Sequence, residues 1–211
     1  MTGSMKSKII VDYLNKLIPD AKCELMYTKD YELLIATMLS AQTTDKKVNM
    51  VTEKLFSKYD TINKLANANI DDIKEIIRPI GTYNKKAKNI ISISNKLVEK
   101  GCMPNDRAFL ESLDGVGRKT TNVVLSNIYN EPLIAVDTHV SRVSKRLGLA
   151  SENDCPEKIE VKLNKKFLKK DLVRLHHQLV LFGRYYCKAQ SPLCENCELK
   201  NICKHYKRLH M

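Results

Sequence analysis

Residues 113–124 read LDGVGRKTTNVV, which sets a glycine turn directly before the start of a helix. Gly115 and Gly117 can adopt φ > 0, so the backbone N–H groups of the turn can converge on one phosphate oxygen. The positive end of the helix dipole points the same way and favours an anion. We therefore predict that Gly115, Val116, Gly117 and Arg118 form a phosphate-binding turn.

Lys119 follows this turn directly. The positive helix start and partial burial would both favour the neutral amine, which is the form in which a lysine acts as a nucleophile. A lysine after a Gly-x-Gly turn is more often a solvated phosphate contact, and so short a motif does not decide between the two roles.

A second segment, AVDTH at residues 135–139, places a carboxylate before another helical pattern. Val140, Val143 and Leu147 recur at helical spacing, so Asp137 is predicted to be the N-cap of that helix. Because a capping carboxylate is held rigidly, this role is compatible with a catalytic one.

Four of the seven cysteines form a C-x6-C-x2-C-x5-C array: Cys187, Cys194, Cys197 and Cys203. Such clustering indicates a metal site, because a reducing cytosol disfavours disulfides. Zinc accepts four thiolates, but structural zinc sites mostly use two short C-x2-4-C pairs, and only one such pair is present. The wider loops favour a [4Fe–4S] cluster, although the spacing matches neither common ferredoxin pattern. The other cysteines are interpreted as small packing residues: Cys23, Cys102 and Cys155.

Apolar residues recur at helical spacing along most of the chain. One stripe comprises Tyr31, Leu34, Ile35, Met38 and Leu39, and another comprises Ile10, Tyr13, Leu14 and Leu17. Asp106 is placed to cap a short helix and Gly101 to end a long one. Alternating runs with hairpin signals are missing, so the sequence predicts an all-α protein.

The composition indicates an anionic partner. The formal net charge is +12 and the pI is about 9.3. No apolar run approaches the roughly 18 residues of a membrane span, so nucleic acid is the leading candidate. A chain of 211 residues can bury a sizeable core and hold one or two domains.

Taken together, the segments resemble the endonuclease III family, the bifunctional DNA glycosylases and apurinic/apyrimidinic (AP) lyases of the helix-hairpin-helix superfamily. The resemblance rests on LDGVGRKTTNVV, AVDTH and the cysteine array, and it runs in order from near Asp30 to Cys203. Three further segments carry it: LLIATMLSAQTTD (33–45), IGTYNKKAKNI (80–90) and HHQLVLFGRYYC (176–187).

This resemblance implies two all-α lobes with the active site in the cleft between them. A six-helix barrel lobe, residues 24–133, would contain the helix-hairpin-helix motif, and residues 1–23 plus 134–211 would form the iron–sulfur cluster lobe. Lys119 and Asp137 would be catalytic and face each other across the cleft. The implied ligands of the [4Fe–4S] cluster are Cys187, Cys194, Cys197 and Cys203.

The resemblance also implies DNA contacts outside the hairpin. Gln42 matches the residue that enters the gap left by the flipped base. Thr82 stands where a larger apolar wedge is usual, so the contact with the opposite strand is shorter or uses Ile80. Asp114 replaces the usual proline and puts a carboxylate near the presumed phosphate site, which is electrostatically unfavourable. Gln178 replaces an expected tryptophan.

The implied reaction is the removal of oxidised pyrimidines through a Schiff base on Lys119, followed by β-elimination 3′ to the lesion. The partner would be double-stranded DNA with damaged pyrimidines or abasic sites, bound by a cytoplasmic, nucleoid-associated monomer of prokaryotic type. Two alternatives remain. One is a monofunctional mismatch or adenine glycosylase of the same fold, which usually has serine or tyrosine in place of Lys119. The other is a non-catalytic helix-hairpin-helix DNA-binding module.

Overall fold

The computed structural model describes residues 3–210, and within that range the chain forms helices and no β-strand. The all-α prediction is therefore confirmed. The α-helices of this range are α1 Gly3–Leu17, α2 Asp30–Leu39, α3 Asp45–Lys58, α4 Ile62–Ala66, α5 Ile70–Ile77, α6 Tyr83–Lys100, α7 Arg107–Glu111, α8 Arg118–Tyr129, α9 Thr138–Arg146, α10 Pro156–Lys166, α11 Leu172–Leu181 and α12 Lys204–Leu209. Two 3-10 turns, Lys169–Asp171 and Lys200–Ile202, and a π-helical turn, Phe182–Tyr186, complete the set. In the described part of the chain, no helix combines the length and apolarity needed to cross a membrane.

The described residues divide into two compact units. The hairpin unit, residues 23–129, contains α2 to α8. The cysteine unit is made of residues 3–22 and 130–210, and it contains α1 and α9 to α12.

Helix α2 is the centre of the hairpin unit. It packs against α3, α6 and α8, and an apolar helix surrounded in this way is buried on all sides. The predicted stripe is buried at Leu34, Ile35, Met38 and Leu39, while Tyr31 is half-buried. The helix begins where the Glu32 carboxylate accepts hydrogen bonds from the backbone N–H groups of residues 28 and 29, at 2.7 and 3.2 Å.

The predicted helix ends of this unit are confirmed. The Asp106 side chain accepts a hydrogen bond of 3.1 Å from the Phe109 N–H and so caps α7. Gly101 ends α6 with φ +76°, a left-handed conformation that glycine adopts without steric cost. These two ends fix where the chain leaves α6 and enters the segment that leads to the hairpin.

The cysteine unit has its own core, formed mainly by α1, α9, α10 and α11. Ile10, Tyr13 and Leu14 of the predicted α1 stripe are buried in it, and Leu17 packs against it. The Gln178 amide, 1% exposed, donates hydrogen bonds to Asn15 Oδ1 at 3.0 Å and to the Ile18 carbonyl at 3.2 Å. The residue at the expected tryptophan position therefore joins α11 to the end of α1.

The π-helical turn lies directly against α9. A Cβ built on Gly183 would lie 2.9 Å from His139 Cβ and 3.1 Å from Val143 Cγ2. Glycine at this position allows the two backbones to approach, which brings the turn that precedes Cys187 onto the helix that follows Asp137.

Candidate nucleic-acid interface and metal centre

The hairpin between α7 and α8 turns at Gly115. Its φ is +78°, and a Cβ built there would overlap Asn89 Nδ2 and lie 3.4 Å from Met38 Cγ. Both the conformation and the available space therefore require glycine. The Val116 N–H donates a 3.1 Å hydrogen bond to the Leu113 carbonyl and closes the turn, while the Val116 side chain is buried. Because its N–H is bonded within the turn, the prediction that Val116 contacts a phosphate is wrong.

Gly117 does not share this conformation. Its φ is not positive, and a Cβ built there meets no heavy atom of the described chain within 4 Å. Of the two glycines that can adopt φ > 0, only Gly115 does so. The open space beside this exposed residue leaves the turn accessible to a phosphate.

Arg118 and Lys119 are exposed in the first turn of α8. The first amides of a helix have no preceding turn to bond to, and this end carries a partial positive charge. An anion at this end of α8 would therefore meet backbone amides together with two cationic side chains. Lys119 is exposed, so the partial burial considered for it from the sequence is not present.

Asp137 is the N-cap of α9, as predicted. Its backbone is extended, and its Oδ1 accepts a hydrogen bond of 2.7 Å from the Val140 N–H. The half-buried carboxylate is thus fixed in orientation by the start of the helix. This geometry is compatible with an additional chemical role.

Two arginines of α9 hold the chain around Cys187. Arg142 Nε donates to the Cys187 carbonyl at 3.1 Å, and its Nη2 donates to the Gly183 carbonyl at 2.6 Å. Arg146 Nη1 donates to the Lys188 carbonyl at 2.6 Å and lies 3.4 Å from Cys187 Sγ. Burial lowers the pKa of Arg142, although the nearby Cys187 opposes the shift. The start of α9 therefore holds the capping carboxylate of Asp137, and the same helix carries the two arginines that bind the segment around Cys187.

The four cysteines of the array line one cavity of about 260 Å³ in the cysteine unit. Four thiolates around one cavity are the donor set that a [4Fe–4S] cluster requires, with one thiolate on each iron. Burial raises the pKa of the Cys194 and Cys197 thiols, and a bound cation reverses that preference for the protonated form.

The remaining cysteines lie elsewhere. Cys102 and Cys155 are exposed and Cys23 is half-buried, so the interpretation of all three as packing residues is wrong for the first two.

Gln42 and Thr82 are both exposed, and both have left-handed backbone conformations, with φ of 57° and 55°. This region is unfavourable for residues other than glycine, above all for a β-branched threonine. Such strain persists where the surroundings impose it, and it is common at functional sites.

Ile80 requires a correction. Its side chain is 2% exposed and belongs to the core of the hairpin unit, so it is not available to a DNA strand. Thr82 is the exposed residue of that turn. The apolar character of Ile80 serves packing.

Sequence reasoning did not single out Lys86, which is 5% exposed and contacts the turn that carries Gln42. The spacing of apolar residues in α6 could have indicated that Lys86 is buried. Lys86, Ile90 and Ile93 stand at i, i+4 and i+7, so the lysine falls on the buried apolar stripe of α6.

Family models and known proteins match this chain over most of its length. A model described as HhH-GPD superfamily base excision DNA repair protein matches residues 35–169. A second model, the iron–sulfur binding domain of endonuclease III, matches residues 187–203, the span of the cysteine array. Endonuclease III of Rickettsia felis is 46% identical, with 93% of each chain covered. Endonuclease III of Bacillus subtilis is 45% identical over 97% of this chain and 94% of its own.

Solved structures show the same similarity. A trapped endonuclease III–DNA covalent intermediate aligns with a TM-score of 0.94 and 43% identity, with 100% of both chains covered. A thermostable thymine-DNA glycosylase aligns with a TM-score of 0.86 over 97% of this chain and 98% of its own. At 21% identity, this second match shows a shared fold alone.

Proposed function

The chain belongs to the endonuclease III family of base-excision DNA glycosylases and AP lyases, and we propose that Lys119 is its nucleophile and Asp137 the assisting carboxylate. The observation that carries this proposal is the position of Lys119. Its exposed amine stands in the first turn of α8, immediately after a turn suited to a phosphate. A duplex held at that turn would present its sugar–phosphate backbone to the amine.

We propose duplex DNA with oxidised pyrimidines or abasic sites as the substrate. The net charge of +12 supports a polyanionic partner. The trapped covalent intermediate of the 43% identical endonuclease III with DNA supports a covalent route for this chain as well. The protein would act as a monomer on nucleoid DNA in the cytoplasm.

In the proposed reaction, the neutral amine of Lys119 attacks C1′ of a nucleotide that has left the stack. The C1′–N bond breaks and the base leaves with the bonding electrons. Opening of the C1′–O4′ bond then gives an imine between Lys119 and C1′. Loss of a C2′ proton and departure of the 3′ phosphate complete β-elimination, with the imine as electron sink. The Asp137 carboxylate stabilises positive charge on the sugar and accepts the proton that the amine releases.

We propose that Cys187, Cys194, Cys197 and Cys203 hold the [4Fe–4S] cluster of this chain, which matches the iron–sulfur binding domain of its family. When bound, the cluster would fix the loop between the π-helical turn and α12. DNA contacts are assigned to the exposed residues of the phosphate-binding turn and to the two exposed, left-handed non-glycine residues of the hairpin unit: Gln42, which would fill the gap left by the flipped base, and Thr82.

Borohydride trapping on abasic duplex DNA tests the nucleophile. We expect the wild-type protein to be locked covalently to the DNA, and Lys119→Gln to abolish trapping while it leaves duplex binding largely intact. Lys8→Gln is the control, because Lys8 is an exposed lysine of α1 paired with Asp12. Normal trapping by Lys119→Gln would overturn the assignment. A monofunctional glycosylase would release the base without a trapped complex, and a non-catalytic module would do neither.

A further inference from the structure

Lys86 is a buried cation in the first turns of α6. Its ammonium donates hydrogen bonds to the Leu39 carbonyl at 2.9 Å, to the Ala41 carbonyl at 2.8 Å and to Thr43 Oγ1 at 3.3 Å. A lysine has three N–H donors, so these acceptors satisfy the whole group. All three acceptors are neutral, and burial lowers the pKa of Lys86.

The acceptors surround one residue. Leu39 ends α2, Ala41 directly precedes Gln42 and Thr43 directly follows it. The Ala41 carbonyl shares a peptide plane with the Gln42 N–H, and the φ angle of Gln42 is the rotation about the bond that leaves this plane. By fixing the carbonyl, Lys86 fixes the orientation on which the left-handed φ of 57° depends.

The charge of Lys86 suits this position. The last carbonyls of a helix have no intrahelical partner and carry a partial negative charge. An ammonium satisfies the carbonyl at the end of α2 and also reaches the turn beyond it, which a shorter neutral side chain could not do. Lys86 therefore joins the end of α2 to the turn that carries Gln42 and restricts the movement of that turn.

The second strained residue is linked to the same lysine. The Lys86 backbone N–H donates a 3.1 Å hydrogen bond to the carbonyl of Thr82, which precedes α6. One residue thus contacts the two turns of the hairpin unit that carry exposed, left-handed non-glycine residues, through its backbone on one side and its ammonium on the other.

We propose that Lys86 is a positioning residue that holds Gln42 in the conformation in which it enters the duplex, in fixed relation to Thr82. The inference rests on the proposed function, in which Gln42 fills the gap left by the flipped base. A turn whose backbone is held in this way requires no reordering when DNA binds, so more of the contact energy is available for flipping.

A mutant cycle tests this role. Single-turnover excision is measured on a duplex that carries thymine glycol, for wild type, Lys86→Met, Gln42→Ala and the double variant. If Lys86 acts through Gln42, we expect Lys86→Met to slow duplex excision about tenfold in the wild-type background and less than about twofold in Gln42→Ala. Lys88→Met is the control, since Lys88 is an exposed lysine of the same helix.

A second substrate separates positioning from folding. A single-stranded abasic oligonucleotide has no opposite strand and no gap to fill, so borohydride trapping on it should stay within about twofold of wild type for Lys86→Met. If Lys86→Met does not unfold cooperatively, Thr43→Val takes its place, because it removes one acceptor at a partly exposed site. The same pattern is then expected with a smaller loss.

Four outcomes overturn the inference. Equal losses on duplex and single strand, or an undiminished loss in the Gln42→Ala background, would mean that Lys86 only stabilises the hairpin unit. If duplex excision is slowed by Gln42→Ala but not by Lys86→Met, the role of Lys86 is refuted and the proposed function stands. Unchanged duplex excision by Gln42→Ala would instead refute the role proposed for Gln42, and the positioning role with it.

Discussion

Ser92 Oγ donates a hydrogen bond of 2.5 Å to Asp114 Oδ2 and ties the start of the hairpin to α6. Asp114 directly precedes Gly115, so this contact lies next to the one left-handed residue of the turn. A carboxylate near a phosphate site is electrostatically unfavourable, but the bond gives this one a structural function. The charge of Asp114 and its hydrogen bond to Ser92 can be separated by asparagine, because an amide oxygen also accepts a hydrogen bond but carries no negative charge.

We expect Asp114→Asn to tighten duplex binding at low salt, because it removes a negative charge and keeps an acceptor for Ser92. The gain should be about 1 kcal/mol and should shrink as salt rises. Fluorescence anisotropy at two salt concentrations measures it, with Glu53→Gln on the exposed face of α3 as the charge control. Equal affinity of Asp114→Asn and wild type at low salt would show that the carboxylate does not act on the phosphate. Asp114→Pro would also lose the bond to Ser92, at a cost of about 1 kcal/mol in the free energy of unfolding.

The two hairpin glycines should differ sharply when each is changed to alanine. Gly115→Ala would introduce a left-handed alanine and a contact with Asn89, so we expect a loss of about 2–4 kcal/mol in unfolding free energy. Gly117 has no positive φ, and a Cβ built there meets no heavy atom within 4 Å beyond its adjoining backbone, so Gly117→Ala should cost less than about 1 kcal/mol. Denaturant unfolding followed by circular dichroism measures both. Similar losses for the pair would contradict the turn geometry.

His177 should make the stability of the protein sensitive to mild acid. Burial lowers the pKa of His177 from 6.5 to about 4, so the folded state keeps the ring neutral while the unfolded state takes up a proton. The neutral His177 ring therefore does not lower the free energy of unfolding above pH 6.5. As the pH falls from 6.5 towards 4, the unfolded state gains a proton that the folded state does not, and the free energy of unfolding falls by up to about 3 kcal/mol. Unfolding free energies at pH 7.5, 6 and 5 should fall less steeply for His177→Gln than for wild type. His210→Gln, which removes an exposed histidine, should keep the wild-type slope.

The sequence predicted the features that depend on local chemistry and missed those that depend on packing between distant segments. The cap at Asp137, the helix end at Gly101 and the buried stripe of α2 follow from residue type and spacing, and all are confirmed. The burial of Ile80 and the lysine at the Gln42 turn depend on contacts across the hairpin unit. Gly117 shows a further limit, because a glycine before a helix does not by itself indicate a positive φ.

The iron content of purified protein should distinguish the cysteines. We expect a yellow-brown protein with about four irons and four acid-labile sulfides per chain, as a cubane held by four thiolates requires. Cys194→Ser should lower the iron content, because Cys194 lines the cavity of the array. Cys155→Ser should not, since Cys155 is exposed and outside that cavity. Colourless protein with one zinc per chain would contradict the cluster assignment.

Asp137 can be tested for a catalytic role because its cap can be kept while its charge is removed. Asparagine caps helices as well as aspartate does, so Asp137→Asn should retain the hydrogen bond from the Val140 N–H and unfold at nearly the wild-type free energy. Asp137→Ala removes the cap and should cost about 1 kcal/mol.

If the carboxylate stabilises charge on the sugar, both Asp137 variants should lose turnover by about 10²-fold or more, independently of their stability. Excision rates under single-turnover conditions, read beside melting curves, separate the two effects. Wild-type turnover in a folded Asp137→Asn variant would leave Asp137 with the cap as its only function. The proton that Lys119 must lose would then need another acceptor.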